Sequence, residues 1–249
     1  MHMFIGILLI TVAVFALIGV AFINQASFGK LPQGKRLERI RQSPHYKDGV
    51  FQNLHETVMM TSDKSRFRSI LDFLFRKVEG LRPEKEIPVI KTNLRGISNS
   101  KDVLVWFGHS SYLIQIDGKR ILVDPVFCMA SPVSFVNKPF PATYTYQPND
   151  MPDIDYLIIT HDHWDHLDYQ TIMQLKDRIG KIICPLGVGE HFEYWGFEED
   201  QLIELDWYEN STSGNEAGLS IHCLPARHFS GRGLTANQTL WASFLIETS

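Results

Sequence analysis

Five histidine and aspartate side chains fall within six residues in His161-Asp162-His163-Trp164-Asp165-His166, and four of them, His161, His163, Asp165 and His166, are the candidate metal ligands. In a near-extended chain, side chains two apart point the same way, so His161 and His163 can converge on one ion. The adjacent pair Asp165 and His166 diverges, which suits two neighbouring ions better than one. Neutral imidazole and carboxylate are ligands that zinc and related divalent metals accept. An open coordination position there would hold a water whose pKa falls to about 7, a hydroxide nucleophile at working pH. A lone surface histidine is usually just a solvated side chain, but this many polar groups at the end of an apolar run serve no packing purpose. The expectation is a metal site.

The elements that must hold this loop can be read around it. Tyr156-Leu157-Ile158-Ile159 is a continuous apolar run of strand length, typical of a strand buried on both faces, and the loop follows it directly. Loops at such ends carry functional side chains on a rigid support. A helix should follow, with Leu167, Ile172, Met173 and Leu175 on its apolar side and Gly180 ending it. Upstream, short β-branched and aromatic runs at 103–107, 112–116 and 121–123 read as strands, and Asp117-Gly118 marks a two-residue hairpin turn. Downstream, strands are expected near 181–184, 202–207, 219–224 and 240–246, with a helix around 189–195. This mixture predicts an α/β domain over 102–249, built on sheets with helices outside.

The composition is that of an ordinary globular chain: 44% hydrophobic and 21% charged over 249 residues. A net charge of -4 gives no basic excess of the kind that marks a nucleic-acid binder. The three cysteines, Cys128, Cys184 and Cys223, are widely spaced in apolar runs and read as buried thiols rather than a disulfide framework.

From Phe4 to Ile23 the chain is almost wholly apolar, long enough to span a bilayer, and the first charged side chain is Lys30. The expectation for 1–29 is a single-pass anchor; a cleaved signal peptide, with Gly19-Val20-Ala21 as its cleavage region, is the rival. Lys30, Lys35, Arg36, Arg39 and Arg41 stand against the single Glu38 beyond it, which favours a catalytic domain on the cytoplasmic side. Residues 30–101 read as a basic connector. Within it Phe67, Ile70, Leu71, Leu74 and Val78 form a helical stripe flanked by Arg66, Arg68, Arg76 and Lys77. That stripe either lies on an anionic membrane surface or packs on the main domain.

The sequence resembles a known family. His161-Asp162-His163-Trp164-Asp165-His166 matches the HxHxDH signature of metallo-β-lactamase-fold hydrolases. Trp106-Phe107-Gly108-His109-Ser110-Ser111, Leu122-Val123-Asp124-Pro125, Pro225-Ala226-Arg227-His228-Phe229-Ser230-Gly231-Arg232 and Thr239-Leu240-Trp241-Ala242-Ser243-Phe244 resemble the branch that contains N-acyl-phosphatidylethanolamine phospholipase D and its bacterial relatives. An ascorbate-phosphate lactonase is a more distant cousin. Ser43-Pro44-His45-Tyr46, Gly49 and Phe51-Gln52-Asn53 are similar to the same branch, so the likeness runs from about Lys30 to the last residue.

The resemblance implies an αββα sandwich, two Zn2+ ions, and hydrolysis of a membrane lipid or a phosphorylated small molecule, most specifically a phospholipase D-type phosphodiesterase at a membrane. By position, His161, His163 and His228 would hold the first zinc and Asp165 and His166 the second. Asp165 would also orient or deprotonate the attacking water. His109 would stand behind the ligands with a hydrogen bond, and Asp124 would brace the turn before Pro125. The family pattern continues with a second αβ half that supplies a bridging Asp and a final His; after His228 this chain has no histidine, and its only acid is Glu247. The expectation is therefore a chain with one secure metal site, truncated within the second half of the sandwich. A lactonase or other ester hydrolase of the same fold, and a metal-binding membrane protein without turnover, are the alternative readings.

Overall fold

The structure, a computed structural model, describes residues 2–57, 63–76, 78–134, 136–212 and 219–248. Its first helix, α1 (His2–Ile23), is apolar all round. At 1.5 Å per residue its 21-residue apolar window reaches about 31 Å, the thickness of a bilayer's hydrocarbon core. None of that window is buried against the rest of the molecule. Helix α2 (Gly34–Gln42) follows, then a small hairpin of β1 (Tyr46–Lys47) and β2 (Val50–Phe51). Ile40 and Phe51 are fully buried in the core beside residues from both sheets, and Leu94 is buried in the other core cluster. The start of 30–101, through Phe51, and Leu94 near its end are thus tied into the domain. Arg36 of α2 explains part of this, because its guanidinium reaches Glu190 (2.9 Å), Glu193 (2.9 Å) and Glu204 (2.5 Å) at once.

Helix α3 (Arg66–Phe75) is capped by Ser65, whose hydroxyl accepts from the Arg68 N–H. Of its predicted stripe, Phe67, Leu71 and the following Val78 are exposed, as is Phe75 beside them, so packing on the main domain is not what the structure gives these side chains; the side chains of Ile70 and Leu74 lie outside the described ones. Lys77 lies outside the described residues.

Among the described residues the main sheet has six strands: β3 (Val103–Gly108), β4 (Ser111–Ile116), β5 (Lys119–Val123), β6 (Ile154–Ile158), β7 (Ile179–Pro185) and β8 (Leu202–Leu205), in that order across the sheet. β3, β4 and β5 are antiparallel, whereas β5 to β8 run parallel. Asp117 and Gly118 both take positive φ, 48° and 72°, as a two-residue turn whose twist matches the strands requires. β6 is buried on both faces, as its unbroken apolar run demands, because layers lie above and below it. On one side α4 (Tyr169–Leu175) and α5 (Gly189–Tyr194) cover Leu122, Leu157 and Ile182. On the other, a three-stranded antiparallel sheet, β9 (Asn210–Thr212), β10 (Leu219–Leu224) and β11 (Ser243–Thr248), packs Ile221 and Cys223 against Ile121, Ile158 and Ile183. Each such fully buried Leu or Ile contributes about 1.5–3 kcal/mol. The layering is helices, then sheet, then sheet.

Two expectations shift. Helix α4 stops at Leu175 and Gly180 lies inside β7, where its role is spatial: a Cβ there would meet the Asp155 carbonyl oxygen of the neighbouring strand at 2.7 Å. The last strand begins at Ser243 rather than Leu240, because Leu240, Trp241 and Ala242 are buried in the core and Ala242 donates its N–H to the Thr160 carbonyl.

Candidate metal centre

The parallel strands β5 and β6 end side by side, and both feed the site. Asp124 follows β5 with φ of 41°, a left-handed conformation that an aspartate tolerates. It is fully buried, and its carboxylate accepts from the Thr160 N–H (2.8 Å) and the Thr160 hydroxyl (2.6 Å) at the end of β6. The loop beyond Thr160 turns back on itself through the His166 and Leu167 N–H groups, which both donate to the His163 carbonyl. Asp168 then caps α4 and also accepts from the Cys128 and Met129 N–H groups, tying in the loop after β5.

Among the described residues, this scaffold gathers two donor sets. In the first, one nitrogen each of His161, His163 and His228 lie within 4.8 Å of one another; in the second, so do the donor atoms of His109, Asp165 and His166. The sets adjoin, since the His161 and His166 rings are 4.0 Å apart. Within the first, His161 Nε2 stands 3.0 Å from both His163 Nδ1 and His228 Nε2. Within the second, His109 Nε2 is 3.3 Å from His166 Nε2 and from Asp165 Oδ2. His109 thus stands among the donors, carried there by a left-handed turn (φ of 46°) between β3 and β4.

Whether these residues fit metal ions depends on where their protons are. The Thr160 hydroxyl has one proton and gives it to Asp124, so its oxygen must accept from His161 Nδ1, 3.0 Å away. His166 Nδ1 donates to the same Asp124 carboxylate at 2.8 Å. Both rings are therefore protonated on Nδ1 and present a bare Nε2 lone pair to the donor sets. Burial, reinforced by His166, His163 and His228, pushes the His161 pKa down to about 2, and burial also lowers His163 and His228. Burial raises the Asp124 carboxyl above its usual range, while the hydrogen bonds from His166 and Thr160 pull against it. Neutral imidazoles with converging lone pairs and a nearby carboxylate are the donor set a divalent ion requires.

Three supports carried no signal of their own in the sequence. Asn53 brackets His228, accepting from its N–H (3.1 Å) and donating to its carbonyl (2.8 Å). Asp162, within the signature but in neither donor set, is buried and accepts from the Gly231 N–H, the Thr239 hydroxyl and His191 Nε2. Burial alone would raise its carboxyl, but those donors and the Arg232 charge hold it below the usual range. Arg232 is itself buried, donating to the Asp162 and Leu167 carbonyls and lying over the Trp164 ring at 4.2 Å; burial lowers its pKa to about 10. A cleft of about 360 Å3 opens beside His163, Trp164 and Asp165, walled by Ala130, Pro132 and Val136. A larger cavity of about 970 Å3 lies at the other end of the parallel strands, near Lys119, Asp155 and Lys181, and holds none of the donors. Ligands of such sheets bind at the carboxyl ends of the strands, where the donors are.

The Beta-lactamase superfamily domain family matches residues 119–249. An uncharacterized protein of Mycobacterium tuberculosis is 40% identical over 207 residues, covering 82% of this chain and 54% of the relative. The N-acyl-phosphatidylethanolamine-hydrolyzing phospholipase D 1 of Caenorhabditis elegans is 32% identical over 151 residues, 57% of this chain and 42% of that protein. A UPF0173 metal-dependent hydrolase of Pyrobaculum aerophilum is 28% identical over 131 residues, 51% of each chain. This chain spans about half the length of these relatives.

Proposed function

This chain belongs to the beta-lactamase superfamily, and from that premise we propose that it is a zinc-dependent hydrolase of membrane lipids, a phosphodiesterase of phospholipase D type. The observation that carries the reading is the pair of adjoining donor sets, His161/His163/His228 and His109/Asp165/His166, with lone pairs oriented by Thr160 and Asp124. Likeness to a phospholipase D that hydrolyses N-acyl-phosphatidylethanolamine supports the substrate class. Two divalent ions bound there would supply Lewis acidity to a phosphoryl oxygen and lower the pKa of a coordinated water to about 7.

The protein's own residues perform the rest. The Asp165 carboxylate, partly exposed and facing the cleft, takes the proton of the attacking water. His109 supplies a third donor to the second set and holds Asp165 in place. Phe229, packed on the His163 and His228 rings at 4.6 and 5.0 Å, shields their solvent side. Water adds to phosphorus as Asp165 takes its proton, the ester P–O bond breaks, and the leaving alkoxide takes that proton from Asp165 to depart as the alcohol. Helix α1 anchors the protein in the bilayer that holds the substrate.

The test uses the full-length protein, purified in detergent. Elemental analysis should find two zinc ions per chain. N-acyl-phosphatidylethanolamine should be cleaved to phosphatidic acid and the acylethanolamide, and a lactone of similar chain length should be opened far more slowly. Fast lactone opening with an intact phosphodiester would replace this reading with the ester-hydrolase alternative.

A further inference from the structure

The turn that leaves α1, Ala26 to Lys30, does not hang free. It is seated on the metal-binding loop. Phe28 packs edge-on against Phe22 in the last turn of α1 (5.4 Å between ring centroids) and against Trp164 (4.9 Å), the residue between His163 and Asp165. Arg232 donates to the Ser27 carbonyl at 2.7 Å while lying over the same Trp164 ring, and Trp195 Nε1 donates to the Ala26 carbonyl at 2.8 Å. The Lys30 N–H donates to His191 Nδ1 at 3.0 Å, and the other nitrogen of that buried ring faces Asp162 of the signature at 3.3 Å.

Gly29 makes the fit possible. Its φ is 70°, and a Cβ there would stand 2.1 Å from His191 Nδ1, closer than any side chain could be accommodated. A flexible tether needs none of this: tethers are polar or glycine-rich chains without fixed partners. The seat is specific: the turn lies half-exposed on the buried His191, Trp195 and Arg232, and it is linked to the loop that carries four of the donors.

We propose that the turn Ala26–Lys30 is a rigid coupling that fixes the metal-binding loop to the end of the membrane helix, so that the site is held at the height of the lipid headgroups and takes the phosphodiester of a membrane phospholipid without lifting the lipid out. The proposal rests on the reading of α1 as an anchor and of the site as a hydrolase. Two ring-to-ring contacts separate the last turn of α1 from Trp164, a reach comparable with the headgroup layer, which is about 5–8 Å thick on each side. The phosphodiester of a phospholipid lies in that layer.

The experiment compares the full-length protein with two variants in phospholipid vesicles. One carries six Gly/Ser residues inserted between Asn24 and Gln25, which leaves the seated turn intact but frees the helix from it. The other is Gly29→Ala, which removes the seat. A nitroxide on Leu234→Cys, an exposed position two residues beyond Arg232, reports height above the bilayer through its relative collisions with oxygen and a nickel chelate; Cys128→Ser removes the partly buried competing thiol. The expected result is a changed height for the insertion variant, at least tenfold slower cleavage of vesicle lipid, and cleavage of soluble bis(p-nitrophenyl) phosphate within twofold of the parent. Gly29→Ala should also lose the slow hydrogen exchange of the Lys30 N–H. An unchanged nitroxide height after insertion overturns the coupling, whatever Gly29→Ala does. Absence of phosphodiester cleavage in every form, the parent included, sinks the hydrolase reading, and the height comparison still decides the coupling.

Discussion

Replacing Asp124 by Asn should disable both donor sets through a proton relay, without touching any ligand. The carboxylate now accepts three hydrogen bonds, from the Thr160 N–H, the Thr160 hydroxyl and His166 Nδ1. An amide keeps the shape, and its oxygen can still serve the Thr160 N–H. Its NH2 group then faces the Thr160 hydroxyl and His166 Nδ1 as a donor. His166 must turn Nδ1 into an acceptor, which moves its proton to Nε2 and blocks the lone pair aimed at the second set. The Thr160 hydroxyl is released from Asp124 and can donate to His161 Nδ1, which moves that proton to Nε2 as well. Loss of such an orienting partner typically costs 10–100-fold in metal affinity, about 1.4–2.7 kcal/mol per site. The buried, charge-assisted hydrogen bonds add about 1–3 kcal/mol of lost stability in the metal-free protein. Calorimetric titration of metal-free Asp124→Asn with zinc should show both sites weakened, with a lower denaturation midpoint. Thr160→Val should weaken chiefly the first set, because it cuts the relay to His161 and leaves the His166–Asp124 contact in place. If Asp124→Asn binds both ions within twofold of the parent affinity, the protons are not where this reasoning puts them.

Three further outcomes follow from the same geometry. His228→Ala should lower zinc content by about one ion per chain by elemental analysis and leave His109/Asp165/His166 able to bind, whereas His166→Ala should remove the other ion; identical losses in the two variants would mean the sets are not separable. Arg232→Leu leaves the Asp162 carboxylate buried without its cation and strips donors from the Ser27 and Leu167 carbonyls, so chemical denaturation should show a loss of about 3–5 kcal/mol; a loss below 1 kcal/mol would show that Arg232 is dispensable. His161, His163 and His228 have pKa values lowered on folding, so the unfolded chain binds more protons below the ordinary histidine value of about 6.5. Stability of the metal-free protein should be full above that pH and fall as the pH drops through it, with up to about 1.4 kcal/mol per pH unit from the deeply buried His161. A melting temperature flat between pH 7 and 5 would contradict the burial of these rings in neutral form.

What neighbouring residues encode is local. The apolar run and length of Tyr156–Ile159 announce a strand covered on both faces, Asp117-Gly118 announces the hairpin of β4 and β5, and His161, His163, Asp165 and His166 after an apolar run announce a loop crowded with side chains able to ligate a metal. Each is written in a few adjacent residues, where the residue's own backbone preference or the alternation of side chains decides the outcome. The place of His228 beside His161 and His163 is legible only through the resemblance of its surrounding motif, because a single histidine 62 residues beyond His166 has no spacing to argue from.

Tertiary structure decided everything that depends on two segments meeting. Gly180 reads as a helix stop, yet it is a glycine because the Asp155 carbonyl of a neighbouring strand passes where a Cβ would be. His109 reads as a supporting residue, yet the hairpin of β3 and β4 delivers it beside Asp165 and His166. Asp124 reads as a turn residue, and only the parallel pairing of β5 with β6 sets it against Thr160 and His166, where it fixes the protons of two of the clustered histidines. The seat of Ala26–Lys30 on Trp164, His191 and Arg232 joins residues 136 to 205 positions apart. No local pattern can encode such contacts, because their partners are chosen by how the layers stack and not by the conformational preferences of the residues on either side.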